Sequence, residues 1–178
     1  MTQRRDDDAT GQVSSPACSM HEADDAYMGY AEKDELTAFL NELLEAERAR
    51  VRVILESARG GAGGRILALM RTIEREEARW WTMLIRYITE LGETPSPKVG
   101  AFFDEAMAIA DFGERIAFLK CDQSRVARML REMLPRLRDS RLCADLAEML
   151  RSKEANIAVV DDIFERDTGV IRQGRRSI

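Results

Sequence analysis

The chain has 178 residues, of which 45% are hydrophobic and 33% charged, so it can bury the core of one domain. Its net charge of -5 gives no sign of the concentrated basic face that nucleic-acid binders need, and no nucleic-acid partner is expected. No apolar run approaches the length of a membrane span, and the first residues lack the apolar core of a signal peptide. We therefore expect a cytoplasmic protein with no membrane partner.

Residues 1–33 form a polar N-terminal arm. Within it, Cys18 and His21 have a C-x-x-H spacing and are followed by several acidic residues. Because thiolate and imidazole both bind zinc or iron, this pair is a second candidate metal site. The alternative is an arm that only docks its tyrosine and methionine side chains. Cys18, Cys121 and Cys143 are expected to be free thiols, since an antiparallel hairpin would hold the last two roughly 20 Å apart.

The spacing of apolar residues predicts an all-α protein with four long helices in residues 34–168, followed by a C-terminal tail at 169–178. Ser96 followed by Pro97 is typical of a helix start, so the long connection between the second and third helices should contain a short helix. A four-helix bundle with one long crossover accounts for this order, and a plain up-down bundle is the alternative. The predicted boundaries are Asp34–Gly60, Arg65–Leu91, residues 97–110, Asp111–Leu137, and Asp139 or Ser140 to Arg166.

Each long helix has one polar residue in the middle of an otherwise apolar stripe. In chain order these residues are Glu47, Glu77, Gln123 and Lys153. Each lies about 13 to 15 residues from the turn that joins its helix to its partner, so all four should meet at one level. The sequence therefore predicts a buried polar layer halfway along the helices.

The chain resembles the ferritin-like superfamily in its four-helix layout, its long crossover and its inward Glu47 and Glu77. It also looks like an uncharacterised bacterial branch of that group in "CSMHEADDAYMGYA" and "LLEAERARV". The resemblance implies a carboxylate-bridged iron or manganese centre that acts on iron, oxygen or peroxide. A metal site would then use Glu47, Glu77 and Glu154, with Gln123 as a fourth ligand.

The sequence departs from the Glu-x-x-His pattern of that superfamily. Position 80, where a histidine would follow Glu77, is Trp80, and the spacing that begins at Glu154 leads to Ile157. The alternative is that the ammonium of Lys153 takes the place of the metal and closes a buried polar network with Glu47, Glu77 and Gln123. The expected function is then that of a non-catalytic or partner-binding protein without a cofactor, and a homodimer is expected.

Overall fold

The computed structural model describes residues 28–59 and 64–174, and in these ranges the regular structure is entirely helical. The all-α prediction is therefore confirmed for the described residues. None of the helices in this part of the chain is both long and apolar enough to cross a membrane. The helices are α1 (Lys33–Arg59), α2 (Gly64–Glu90), α3 (Phe102–Ala108), α4 (Phe112–Met133) and α5 (Ser140–Gly174), with a 3₁₀ turn at Leu134–Arg136 between α4 and α5.

Capping residues end the helices close to the predicted positions. Asp111 caps α4 at the predicted start, since its Oδ1 accepts a hydrogen bond from the backbone N–H of Glu114 at 2.8 Å. Gly92 has φ +80°, a left-handed conformation that ends α2 without the strain another residue would meet. The α-helical part of α4 stops at Met133, because Pro135 cannot continue the helix.

Three predicted boundaries were wrong. Asp34 does not cap α1 but lies in its first turn, where its charge complements the helix dipole. The fourth long helix continues to Gly174, past the predicted end at Arg166. The short helix begins at Phe102 rather than Pro97, because the chain around Ser96 is held against α1.

The long helices are antiparallel in each of their four described contacts. The closest-packed pairs are α1 with α2 and α4 with α5, and α1 also contacts α4 while α2 contacts α5. The start of one helix faces the end of its neighbour in three ion pairs: Lys33–Glu93, Glu35–Arg136 and Arg86–Asp145. Consequently α2 and α4 run in the same direction, and the chain between them must travel the length of the molecule.

That connection, residues 91–111, runs along α1. The backbone N–H of Ser96 donates to Asn41 at 2.7 Å, and its hydroxyl donates to Glu45 at 2.5 Å. Nη1 of Arg48 donates to the carbonyl oxygens of Ser96 and Lys98, at 2.5 and 2.7 Å. The Ser96 hydroxyl also accepts a hydrogen bond from the backbone N–H of Lys98 at 3.3 Å, but no helix follows, because Arg48 binds the carbonyl oxygens of Ser96 and Lys98.

Two apolar clusters make up the described core. The larger cluster contains Leu43 of α1, Leu84 of α2, Leu130 of α4 and Leu146 of α5. The smaller cluster lies where α3 covers α1 and α4, and the Phe102 and Phe118 rings stack there with centroids 5.0 Å apart. On α1 the two clusters are separated by Glu47 and Arg50, and on α4 by Asp122 and Gln123. A polar layer therefore divides the apolar core.

The described cysteines agree with the sequence prediction. Cys121 is exposed and Cys143 is half-buried, and both are free thiols. Cys18 lies outside the described residues. Both tryptophans belong to the core, since Trp80 is buried in the larger cluster and Trp81 packs against it.

Candidate functional site

The polar layer consists of buried side chains from α1, α4 and α5. Glu47 and Arg50 are each 1% exposed, and Lys153 is 0% exposed. Asp122 and Gln123, which are adjacent on α4, are also buried. A charged group is seldom found at such depth without a partner of opposite charge, because transfer from water to a low-dielectric interior costs several kcal/mol per ion.

Glu47 is bonded to two cations. Its Oε2 accepts a hydrogen bond from Lys153 Nζ at 2.8 Å, and its Oε1 accepts one from Arg50 Nη1 at 2.9 Å. Lys153 reaches Glu47 from α5, across the middle of the molecule, whereas Arg50 lies one turn further along α1. Each carboxylate oxygen therefore has its own charged donor, which compensates for the lost hydration of Glu47.

Asp122 continues the network towards the surface. Arg50 Nη2 donates to Asp122 Oδ2 at 2.8 Å, and Arg125 Nη2 donates to Asp122 Oδ1 at 3.0 Å. Arg125 also donates to Glu42 at 2.7 Å, on the exposed surface of α1. Burial on its own would lower the pKa of Arg125, but the neighbouring Asp122 and Glu42 carboxylates outweigh burial, so the pKa is raised.

Helical spacing explains why these charges meet. Glu47 and Arg50 are three residues apart on α1, and Asp122 and Arg125 are three apart on α4, so each pair shares a helix face. The guanidinium of Arg50 has donors on both terminal nitrogens, which allows it to bridge the two carboxylates. The result is an alternating chain of basic and acidic groups: Lys153, Glu47, Arg50, Asp122, Arg125 and Glu42.

The structure brings part of the sequence-predicted layer together. Glu47 and Lys153 are in direct contact, and Gln123 is buried at the same level. The backbone of Glu77 lies in α2, but its side chain is outside what the structure describes, as are Cys18 and His21. The outcome for these three residues therefore stays a prediction.

The expected placement of Glu154 among the metal ligands needs correction. Glu154 is exposed on α5, where its Oε1 accepts hydrogen bonds from Arg131 Nη2 and Nε at 2.6 and 3.1 Å. Adjacent residues on a helix point about 100° apart, so the burial of Lys153 directs its neighbour Glu154 towards solvent. Glu154 therefore does not join Glu47 in the buried layer.

Sequence reasoning missed Arg50 and Asp122. Neither residue stands at the centre of the apolar stripe of its helix, and a charged residue beside such a stripe usually faces water. The signal that could have revealed them is the repeated acid-x-x-base spacing, Glu47 to Arg50 and Asp122 to Arg125. Small apolar neighbours on the same face of α1, Ala46 and Ala49, are a further indication of burial there.

The described residues do not fit the di-metal centre that the resemblance implies. Such a centre needs several carboxylates and imidazoles with lone pairs directed at the ion. Both Glu47 oxygens and both Asp122 oxygens are already bonded to basic side chains, and a protonated lysine cannot act as a ligand. Among the side chains that the structure describes, which do not include that of Glu77, no three acidic, histidine or cysteine side chains are grouped as a metal site would require.

A family model described as a domain of unknown function, DUF6306, matches residues 34–162. The chain belongs to this family. The DUF6306 domain contains α1 from its second residue, all of α2, α3 and α4, and most of α5, so it includes the whole buried charge network. No curated protein and no solved structure matches the chain.

Proposed function

We propose that this DUF6306 protein is a non-catalytic member of the ferritin-like class of four-helix bundles, in which buried ion pairs replace the metal centre. The antiparallel packing of neighbouring helices and the parallel course of α2 and α4 support this assignment. A long connection between the second and third helices is the feature that separates ferritin-like bundles from simple up-down bundles. The course of residues 91–111 along α1 agrees with it.

One observation carries the functional part of the proposal. Each oxygen of the buried Glu47 carboxylate is bonded to a basic side chain, Lys153 on one side and Arg50 on the other. In a metal-dependent bundle an inward glutamate at mid-helix would instead be available to the ion. An ammonium at this position supplies positive charge without open coordination sites, so it supports folding and provides no redox chemistry.

In this proposal the protein is a helical scaffold that ion pairs between its own side chains hold in register. The ion pairs link α1, α4 and α5 at one level, and sliding any of these helices by a turn would move a charge against an apolar cluster. A polar contact that is satisfied in only one alignment fixes helix register, which is the best-attested use of buried polar groups. We therefore assign the protein to the partner-binding class, with its outer surface as the functional part.

Metal analysis tests this proposal. The native full-length protein is purified from cells grown with added iron and manganese, without chelators, and its metal content per chain is measured by mass spectrometry. We expect far less than one metal ion per chain, and the same low value for Glu47→Gln. Glu154→Gln is the matched control, because it removes an exposed carboxylate from the same protein.

One pattern of results would overturn the proposal. If iron or manganese copurifies at about one ion or more per chain and is lost in Glu47→Gln but retained in Glu154→Gln, Glu47 is a ligand. The protein would then be a carboxylate-bridged metal protein, and the ion pairs with Lys153 and Arg50 would describe only its metal-free form. Circular dichroism of each variant ensures that metal loss is not caused by unfolding.

A further inference from the structure

A groove lies between α2 and α5, away from the buried charge network. It consists of two adjoining cavities, of about 550 Å³ and about 410 Å³, which share Arg79 and Glu148 as lining residues. The α2–α5 pair packs less closely than α1–α2 or α4–α5, which explains why space remains between these two helices. Both cavities are open to solvent, so the groove is a depression in the surface rather than an enclosed pocket.

Guanidinium groups from both helices line the larger cavity. Arg75 and Arg79 are one turn apart on α2, and Arg151 lies on α5. Glu148 is the acidic residue among them, and it is paired with Arg79 at 2.8 Å. Within the described residues, Arg75 and Arg151 form no ion pair and no hydrogen bond. Among the lining residues whose side chains the structure describes, positive charge is thus in excess, on a protein whose overall charge is negative.

Neutral donors without acceptors lie in the same walls. Asn156 Nδ2, in the lining of the larger cavity, is buried and has no hydrogen-bond partner. Trp80 Nε1 is also buried and has no hydrogen-bond partner. Trp80 lines the smaller cavity, and only 3% of the residue is exposed. A buried N–H without an acceptor is unfavourable, because it has lost its hydrogen bonds to water. Both unsatisfied groups are hydrogen-bond donors, so a ligand in the groove would have to supply hydrogen-bond acceptors.

We propose that this groove binds a small phosphate-bearing molecule. The phosphate group would lie between Arg75 and Arg151, since guanidinium groups donate paired hydrogen bonds to phosphate oxygens. The rest of the molecule would extend past Arg79 towards Trp80, with Asn156 donating from the wall. A small phosphate compound fits better than a long polyanion, because the net charge of -5 would repel an extended chain of phosphates.

Calorimetric titration with pyrophosphate tests the site. The native protein is titrated at low ionic strength and compared with Arg151→Gln, which removes one of the unpaired guanidinium groups. Arg131→Gln is the matched control, because it makes the same change of charge on α4, where Arg131 is paired with Glu154. We expect Kd to rise about tenfold or more in Arg151→Gln and less than twofold in Arg131→Gln.

A second variant should strengthen pyrophosphate binding rather than weaken it. Glu148→Gln removes the carboxylate that occupies Arg79, so pyrophosphate should bind several-fold more tightly. Inorganic phosphate and a phosphate monoester, titrated in parallel, distinguish a site for the free ion from one that also recognises the attached group. The proposal is overturned if pyrophosphate does not bind, or if Arg131→Gln weakens binding as much as Arg151→Gln. The site shares no residue with the buried charge network, so it can fail without affecting the proposed function.

Discussion

Substitution of Lys153 by methionine removes the cation that reaches Glu47 from α5. Lys153 is 0% exposed and its Nζ lies 2.8 Å from Glu47 Oε2, so the carboxylate would lose a charge-assisted hydrogen bond in a region that excludes water. Methionine has a similar volume and leaves little cavity, so the effect reports the charge. Removing one partner of a buried ion pair costs about 3–5 kcal/mol, and we expect a loss in the free energy of unfolding of that size.

The assay is urea unfolding followed by circular dichroism, with Lys33→Met as the control. Lys33 is paired with Glu93 at 2.8 Å, but its side chain is 51% exposed, and such a surface pair contributes less than about 1 kcal/mol. Combining Lys153→Met with Glu47→Gln completes a double-mutant cycle, in which coupling of about 0.5–3 kcal/mol is expected for residues in contact. Equal losses for Lys153→Met and Lys33→Met, or no coupling in the cycle, would refute the buried-pair reasoning.

Two further predictions concern α5. Burial and the hydrogen bond to Asp145 raise the pKa of Tyr87 in the folded protein. The protonated Tyr87 hydroxyl therefore contributes fully to the free energy of unfolding below the unfolded pKa of about 10, and this contribution is lost as pH rises through the folded-state pKa. The free energy of unfolding should fall as the pH rises above about 10 in the native protein and fall less in Tyr87→Phe, and identical alkaline profiles would contradict this. Asp139 Oδ1 accepts hydrogen bonds from the N–H groups of Arg141 and Leu142, so Asp139→Ala should lower the free energy of unfolding by about 1 kcal/mol while Asp139→Asn, an equally good cap, should change it little. Equal losses in urea unfolding for the two variants would mean that the cap is not what matters.

The sequence was sufficient to predict most of the helices, because apolar spacing and capping residues act locally. Asp111 and Pro135 mark the ends of α4 through local chemistry, a capping side chain and a ring that cannot continue the helix. The beginning of α3 could not be predicted in this way. Ser96 has the local signature of a helix start, but its hydroxyl and carbonyl oxygen are bonded to α1, a partner that is distant in sequence.

The candidate site was likewise predictable only in part, because some of its features depend on tertiary contacts. The central positions of Glu47 and Lys153 within apolar stripes indicated that both face inward, and the structure places them in contact. The bridging role of Arg50 between Glu47 and Asp122 was not foreseen, because a helical wheel assigns a direction to a side chain but not a reach. Arg50 spans the distance between two helices through its long side chain, which depends on how closely α1 and α4 approach. Whether the protein forms the expected homodimer stays a prediction, which a mass measurement in solution would test.

The attachment of the crossover to α1 has a consequence for sequence variation. Arg48 donates hydrogen bonds to the backbone carbonyl oxygens of Ser96 and Lys98, and the Lys98 side chain plays no part in those two bonds. Every amino acid has such a carbonyl oxygen. Replacement of Lys98 or of the neighbouring Pro97 therefore leaves both acceptors in place, whereas replacement of Arg48 removes the donor of both hydrogen bonds. Related proteins could vary widely in this loop and keep its path, provided that they retain an arginine on the helix beneath it.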